Sequence, residues 1–158
     1  MTFEQPLALL VIGSGPGGYR AAVLAALRGL KVAIIERDQW GGCCLNRGCV
    51  PKKAWYHSAR ILSQQGHYAE RGIEGRLEGD LHQAWRHQKR IVHGVRDSYV
   101  DYLQRLGVDV LQGRACFEAT DRVAIMQADR TDTVKARNVI IATGSRPKPH
   151  PIIGTVPG

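Results

Sequence analysis

A strand, a glycine-rich turn, a helix and a second strand follow one another near the start of the chain. Residues 7–12 form a continuous apolar run of strand length, which is typical of a parallel strand covered on both faces. The pattern G-x-G-x-x-G follows directly, with its glycines at Gly13, Gly15 and Gly18. Residues 19–29 are rich in alanine and leucine and predict a helix, and residues 31–36 predict the second strand. This order predicts an α/β fold built on a parallel sheet.

Each part of this segment has a mechanical use. Gly13 permits the tight turn, Gly15 lets the backbone approach a pyrophosphate, and Gly18 lets helix and strand pack closely. The helix start offers unpaired N–H groups and a positive dipole end to phosphates. Glu36 ends the second strand, the position where a carboxylate accepts hydrogen bonds from ribose hydroxyls. The sequence therefore predicts a dinucleotide site that contains Gly13, Ser14, Gly15, Pro16, Gly17, Gly18, Glu36 and Arg37.

Cys44 and Cys49 lie close together, directly after Gly41 and Gly42. They can form a bridge only if the chain folds back to bring their Cα atoms within roughly 4.4–6.8 Å, and glycines permit such a bend. A loop this short constrains the unfolded chain less than a long loop does, so a redox-active disulfide is a better interpretation than a structural one. Because the loop soon follows Glu36, the second strand delivers it toward the cofactor crevice.

Together these segments resemble the pyridine nucleotide-disulfide oxidoreductases, flavoproteins that include dihydrolipoamide dehydrogenase, glutathione reductase and mercuric reductase. The resemblance covers nearly the whole chain, including residues 140–147, which are similar to the strand-ending A-T-G segment beside FAD. It implies an α/β, Rossmann-like FAD-binding domain with a parallel sheet, a helical pair and a small β-meander. We predict that residues 1–150 form the amino-terminal part of this domain. Residues 151–158 are then a linker to a nicotinamide-binding domain outside the chain.

The resemblance also implies roles for single residues. FAD is the expected dinucleotide, and Glu36 would bind the ribose of its adenosine half. Cys49 would face the flavin, and Cys44 would exchange with the substrate. Lys53 is similar to the family lysine near the flavin ring, where a positive charge stabilises the reduced ring. The further cofactor contacts that the resemblance implies are Gly42, Ala115, Thr143 and Gly144.

The implied reaction passes electrons from NADH or NADPH through FAD to the Cys44–Cys49 disulfide, and from there to a small-molecule or protein-bound disulfide; dihydrolipoamide dehydrogenase runs it backward. Residues 17–19, 45–47 and 57–59 look like lipoamide dehydrogenases, whereas residues 50–53 look like glutathione reductases. We favour the lipoamide type. A glutathione- or mercuric-reductase-like enzyme and a non-catalytic flavin-binding module stay open as alternatives.

Two further cysteines lie outside the predicted bridge. Cys43 stands where these proteins usually carry threonine, so it either competes in thiol exchange or is a small buried residue, and we favour the second interpretation. Cys116 is predicted to be a buried strand residue. No histidine lies with cysteine at zinc-ligand spacing, so no metal site is expected.

Composition limits the kinds of binding partner and the cellular compartment that we expect. The 158 residues suit one domain, and their formal charge of +8 makes nucleic-acid binding a rival function. No nucleic-acid motif is present and the basic cluster at residues 86–90 is explained by a solvated helix face, so we expect no specific nucleic-acid partner. No run approaches the ~20 apolar residues of a membrane span, and no signal peptide is evident. A redox cysteine motif favours a reducing compartment, the cytoplasm.

The middle of the chain is predicted to be helical. Residues 50–65 form a helix that begins at the disulfide, residues 67–80 form a connection, and residues 81–106 form a long helix that Gly107 ends. The long helix has an apolar stripe of coiled-coil spacing that skips Gln88 and consists of Trp85, Val92, Val95, Tyr99, Tyr102 and Leu106. We favour packing of this stripe on the preceding helix over a dimer surface. Later strands are predicted at residues 108–111, 114–117, 123–126 and 139–142.

Family members are much longer than this chain. They add a second dinucleotide domain and an interface domain with a His-Glu pair that serves the partner subunit's disulfide. The chain contains a single G-x-G-x-x-G. We therefore expect the amino-terminal portion of a larger enzyme that is a homodimer when intact, and we expect this portion to be inactive alone.

Overall fold

A computed structural model describes residues 6–146 and residue 148, so the predicted linker at residues 151–158 lies outside the described residues. The strands are β1 (Leu9–Ile12), β2 (Val32–Glu36), β3 (Asp109–Gln112), β4 (Arg114–Ala119), β5 (Arg122–Met126), β6 (Thr131–Lys135) and β7 (Val139–Ile141). A parallel sheet has the order β3-β2-β1-β7, and an antiparallel sheet has the order β4-β5-β6. The predicted α/β class, with its parallel sheet and small β-meander, is confirmed.

The helices are α1 (Pro16–Ala26), α2 (Gly42–Asn46), α3 (Cys49–Ser63), α4 (Gln65–Tyr68) and α5 (Leu81–Arg105), and a 3₁₀ turn covers Ala69–Arg71. The helices predicted at residues 19–29, 50–65 and 81–106 are confirmed, with ends that shift by a few residues. The short α2 and α4 and the 3₁₀ turn were not predicted, because one or two helical turns carry too little apolar periodicity to be visible in a sequence. None of the helices within residues 6–146 is both long enough and apolar enough to cross a membrane.

The parallel sheet is covered on both faces, which explains the continuous apolar runs of its strands. Side chains alternate along β1, so that Leu9 and Val11 contact one core cluster and Leu10 contacts the other. The first cluster includes residues of α1 together with Leu103 of α5, and the second includes Val123 and other residues of the antiparallel sheet. The fold therefore has three layers, with the helices on one side of the parallel sheet and the β-meander on the other.

Helix α5 packs against other helices of the same chain, as predicted. Trp85 contacts Trp55 of α3 with ring centroids 6.0 Å apart, and Tyr99 stacks on Tyr19 of α1 at 4.1 Å. The details of the stripe differ from the prediction. Gln88 is buried although the stripe skips it, and Leu103, which the stripe omits, is fully buried. The predicted stripe assumes one coiled-coil partner along the whole helix. Because α5 packs on several different elements along its length, its buried residues do not stay on a single stripe.

Candidate cofactor crevice and redox disulfide

The glycine-rich turn joins β1 to α1, and a side chain would not fit at two of its glycines. Gly13 has φ +102, and a Cβ there would collide with the carbonyl of Ala142 at the end of β7. A Cβ at Gly18 would collide with the carbonyl of Gly13. Pro16 is the first residue of α1, a position where its missing N–H costs nothing. The carboxyl end of the sheet and the start of α1 therefore lie in direct contact, which forms the floor of a crevice.

The cysteine loop packs directly on this turn. Gly41 and Gly42 have φ +94 and +62, values that other residues rarely adopt. A Cβ at Gly42 would lie 2.7 Å from the Cα of Gly15, so the two backbones can meet only because Gly42 has no side chain. The loop that carries the cysteines thus lies beside the predicted pyrophosphate turn, where the short gap after Glu36 predicted it.

The Glu36 carboxylate at the end of β2 is held by hydrogen bonds from protein donors on both of its oxygens. Oε2 accepts from the Ser14 backbone N–H at 2.9 Å and from the Ser14 hydroxyl at 2.6 Å. Oε1 accepts from the backbone N–H groups of Arg37 at 2.8 Å and Asp38 at 2.9 Å. Burial raises the pKa of Glu36, but these hydrogen bonds outweigh burial and hold the pKa below its ordinary value. Glu36 is therefore a fixed carboxylate at the rim of the crevice.

Ser14 lies inside the turn and not on its surface. Its residue exposure is 1%, and its hydroxyl also accepts a hydrogen bond from the Gly41 backbone N–H at 3.0 Å. The side chain of Ser14 therefore connects Glu36 to the first residue of the cysteine loop. The sequence predicted Ser14 as part of the cofactor site, but it carried no signal for these contacts, because the residues are distant along the chain.

Cys44 and Cys49 form a disulfide, as predicted, and their Cα atoms lie 4.7 Å apart. Cys44 lies in α2, and Cys49 is the first residue of α3. The start of a helix stabilises negative charge, so α3 favours a thiolate on Cys49 once the bridge is reduced. The bridge thus joins two cysteines that are close in sequence but differ in position, since Cys44 lies within a helix and Cys49 begins one.

Asn46 and Arg96 fasten the loop to the long helix. The side-chain amide of Asn46 donates to the carbonyls of Trp40 at 3.0 Å and Gly42 at 2.9 Å, which closes the turn before α2. Arg96 of α5 donates to the Asn46 side-chain oxygen at 2.7 Å. Sequence reasoning missed Arg96, because nothing in the local pattern of α5 indicates a partner in the distant cysteine loop.

The crevice has a volume of about 1510 Å³ and brings together residues from the ends of several strands. The predicted cofactor residues that line it are Gly13, Gly15, Pro16, Gly17, Glu36, Arg37, Gly42, Ala115, Thr143 and Gly144. Cationic residues that the sequence analysis did not select also line it, namely Arg47, Arg114, Arg146 and Lys148. Such a concave, cationic site favours an anionic ligand. These four cationic residues lie close in sequence to predicted site residues, and this closeness could have identified them.

Several predicted site residues do not line the crevice. Ser14 and Gly18 are buried beneath the turn, and the Cys44–Cys49 bridge and Lys53 lie outside its wall. The Lys53 side chain is exposed on α3. The cysteine of the loop that does line the crevice, beside Gly42, is Cys43.

The two other cysteines differ from prediction. Cys43 is exposed and has a free thiol, so the favoured interpretation of a small buried residue is wrong. Its side chain faces the crevice instead of the core. Cys116 lies in β4 as predicted, but it is exposed. Side chains alternate along a strand, so Cys116 is on the face of β4 opposite to that of Ala115, which packs against the core, and the described residues leave it uncovered. Within residues 6–146 and residue 148, no three His, Cys, Asp or Glu side chains are grouped as metal ligands.

Comparison with protein families explains this combination of turn, loop and crevice. The family described as pyridine nucleotide-disulphide oxidoreductase matches residues 7–158. This chain belongs to that family. The predicted resemblance is thereby confirmed.

Individual members of the family are similar to this chain over most of its length. A dihydrolipoyl dehydrogenase of Chlamydia pneumoniae is 37% identical over 150 residues, which is 93% of this chain and 32% of that protein. A dihydrolipoyl dehydrogenase of Geobacillus stearothermophilus is 38% identical over 143 residues, which is 87% of this chain and 30% of that protein. The chain therefore spans about a third of the length of these relatives.

A solved structure has the same fold. The HOCl-induced flavoprotein disulfide reductase RclA of Escherichia coli, determined as a Cu(II) complex, superposes with a TM-score of 0.78. The match covers 94% of this chain and 31% of that one, at 24% sequence identity. The likeness confirms the Rossmann-like fold that the sequence predicted.

Proposed function

We propose that this chain is the FAD-binding portion of a disulfide oxidoreductase most like dihydrolipoamide dehydrogenase. The observation that carries the proposal is the contact between Gly15 and Gly42, which places a closed Cys44–Cys49 bridge beside a dinucleotide turn. The similarity to dihydrolipoyl dehydrogenases supports the choice of type.

The crevice fits FAD. A Cβ at Gly17 would meet nothing within 4 Å, so the start of α1 has room for a pyrophosphate on its N–H groups. Glu36 would accept hydrogen bonds from the adenosine ribose, and the backbone of Ala115 would contact the adenine. Thr143 and Gly144 would bind from the far side. Lys53 lies outside the crevice wall, and only the family resemblance supports its place near the flavin. When bound, FAD supplies a two-electron carrier between a nicotinamide and a disulfide.

The two cysteines carry out the exchange with substrate. In the dithiol state, the Cys44 thiolate attacks one sulfur of the substrate disulfide, and the other sulfur leaves as a thiol after it gains a proton. The Cys49 thiolate then attacks the Cys44 sulfur of the mixed disulfide, which releases the second substrate thiol and restores the bridge. Two electrons pass to the substrate in each cycle. A dihydrolipoamide-type enzyme runs these steps in reverse.

The nicotinamide cofactor, NAD(H) or NADP(H), and a homodimeric assembly belong to the proposal for the full-length protein, and the cytoplasm stays the expected compartment. The substrate class is a small-molecule or protein-bound disulfide or dithiol. We expect residues 1–158 alone not to reduce a disulfide with NAD(P)H, because they contain a single dinucleotide fingerprint. Turnover by these residues with added FAD would contradict that expectation.

An absorption spectrum of the full-length protein tests the proposal. We expect flavin absorption that dithionite bleaches and that either NADH or NADPH bleaches when each is added separately without oxygen. Steady-state assays with dihydrolipoamide and with glutathione disulfide then distinguish the two substrate types. A third assay with mercuric ion covers the mercuric-reductase-like alternative. A protein that binds flavin and turns over none of the three would favour the non-catalytic module, and a protein that does not bind FAD would contradict the proposal.

Substitution of the glycine turn tests where FAD binds. Gly15→Val adds a branched side chain that would block the approach of the backbone to the pyrophosphate, whereas its Cβ, 4.0 Å from the Gly42 Cα, would make only an ordinary contact within the fold. We expect it to abolish FAD binding in the full-length protein, measured by fluorescence titration. Unchanged affinity would mean that the fingerprint is not the cofactor site.

A further inference from the structure

We propose that Ser14 is a positioning residue that couples the Glu36 carboxylate to the redox helix α2. Ligand binding at the adenosine half of the crevice and the oxidation state of the Cys44–Cys49 bridge would then influence each other. The inference rests on the proposed function, because it takes Glu36 as the group that binds the ribose. It assigns to the Ser14 hydroxyl a role beyond membership of the glycine-rich turn.

The first observation is the chain of hydrogen bonds through one buried hydroxyl. A serine hydroxyl has one hydrogen to donate and lone pairs that accept. The Ser14 hydroxyl donates to Glu36 at 2.6 Å and accepts from the Gly41 N–H at 3.0 Å, so it uses both functions at once. With 1% exposure, Ser14 has little water to replace either partner. A change at Glu36 therefore reaches Gly41 through a single side chain.

The second observation is that the Glu36 carboxylate has no spare acceptor capacity. A carboxylate offers about four lone-pair sites, and four protein N–H and O–H groups already occupy them, two on each oxygen. A ribose hydroxyl that donates to Glu36 must therefore displace one of these donors. Three of the four are backbone groups, and the fourth is the rotatable hydroxyl of Ser14. Because the hydroxyl can turn without any movement of the backbone, it is the donor that ribose binding displaces.

The third observation links Gly41 to the disulfide. Gly41 precedes α2, and a Cβ at this position would collide with the Leu45 side chain, so Gly41 packs tightly on α2. Leu45 is 2% exposed and is the direct neighbour of Cys44. Opening the bridge releases the tie between α2 and Cys49 at the start of α3. Gly41 therefore contacts the helix that carries Cys44 on one side and donates a hydrogen bond to the Ser14 hydroxyl on the other.

The experiment measures the affinity of ADP for the full-length protein, freed of FAD, by calorimetry. ADP fills the adenosine and pyrophosphate half and lacks the flavin, so it removes any direct contact between the flavin and the cysteines. The dissociation constant is measured with the bridge closed and again after reduction by a phosphine. We expect the two constants of the wild-type protein to differ by about fivefold or more, within the usual range of coupling between sites.

Ser14→Ala is expected to bring the ratio of the two constants close to one. Ser58→Ala is the matched control, because among the described residues the Ser58 hydroxyl donates only to the Ala54 carbonyl of its own helix α3, at 3.3 Å. It should keep the wild-type ratio. A merely structural role for Ser14 would weaken ADP binding equally in both oxidation states and leave the ratio unchanged, and that result would overturn the proposal. Equal affinities in the two states of the wild-type protein would overturn it too.

A measurement on the unsubstituted protein covers the case in which Ser14→Ala does not fold. ADP should change the hydrogen-exchange rate of the Gly41 amide by about fivefold or more, because the acceptor of that amide is reoriented. An unchanged rate in the ADP complex would reject the coupling. Failure of the proposed function would give a different result. A wild-type protein that binds neither ADP nor FAD would show that the crevice is not a cofactor site.

Discussion

Gly15 of the dinucleotide turn and Gly42 of the cysteine loop are in backbone contact. A Cβ at Gly42 would lie 2.7 Å from the Gly15 Cα and 3.3 Å from its nitrogen. Both atoms belong to backbone, so neither can rotate away as a flexible side chain would. This apolar contact joins the glycine-rich turn to the cysteine loop, beside the hydrogen bond from the Gly41 N–H to the Ser14 hydroxyl.

Gly42→Ala should separate these two segments. The variant suffers both the collision with Gly15 and a positive φ of +62, so we expect a loss of about 1–3 kcal/mol in the free energy of unfolding. FAD affinity should fall with it. Urea unfolding and fluorescence titration measure the two effects. Gly94→Ala is the control, since a Cβ there meets nothing within 4 Å in the interior of α5, and it should raise stability by about 1 kcal/mol. Equal stabilities of the two variants would contradict the contact.

The two cysteines of the bridge should differ when one is removed. Thiol counting under denaturing conditions should find two fewer free thiols before reduction than after it, and peptide mapping should place the missing pair at Cys44 and Cys49. In the full-length flavoprotein, Cys44→Ser leaves Cys49 as a thiolate at the start of α3 and should give a long-wavelength charge-transfer band. Cys49→Ser should not give this band. The opposite pattern would mean that the roles assigned to Cys44 and Cys49 are reversed. A bridge that includes Cys43 would contradict the Cys44–Cys49 pairing.

Glu36 should make stability depend on pH in the acid range. Its pKa is held below the ordinary value of 4.5 in the folded chain, because hydrogen bonds led by that of the Ser14 hydroxyl outweigh burial. The stabilisation from Glu36 is therefore fully present above the unfolded pKa and is lost as the pH falls through the lower folded pKa. Unfolding in urea from pH 7 down to pH 3 should show a steeper fall for the wild-type protein than for Glu36→Gln. Glu118→Gln, on the exposed part of β4, is the control and should follow the wild type.

Arg96 should stabilise the cysteine loop from the long helix. Arg96→Met removes the 2.7 Å hydrogen bond to Asn46, and we expect a loss of about 1.5–3 kcal/mol in the free energy of unfolding, the usual range for a hydrogen bond to a charged group. The Cys44–Cys49 bridge should also be reduced faster by dithiothreitol, because α2 opens more often. Arg86→Met, at an exposed position of the same helix, is the comparison. Identical reduction rates in the two variants would show that Arg96 does not hold the loop.

Much of this arrangement was predictable from residues that are close in sequence. The βαβ unit, the turn glycines, the acid at Glu36 and the short Cys44–Cys49 loop each depend on local geometry, so the family and the fold class follow from the sequence. The two other cysteines show the limit of this reasoning. Their burial depends on which layers cover α2 and β4, and a one-dimensional pattern does not specify that.

The sequence by itself determined the parallel sheet and the bridge between Cys44 and Cys49, because glycine conformations, apolar runs and cysteine spacing act over a few residues. Only the tertiary structure decided that Gly42 lies against Gly15, that Arg96 holds Asn46 and that the Ser14 hydroxyl joins Glu36 to Gly41. These contacts arise when the carboxyl ends of parallel strands meet at one edge of a sheet. Their partners are brought together by the packing of the layers, and no local propensity encodes that.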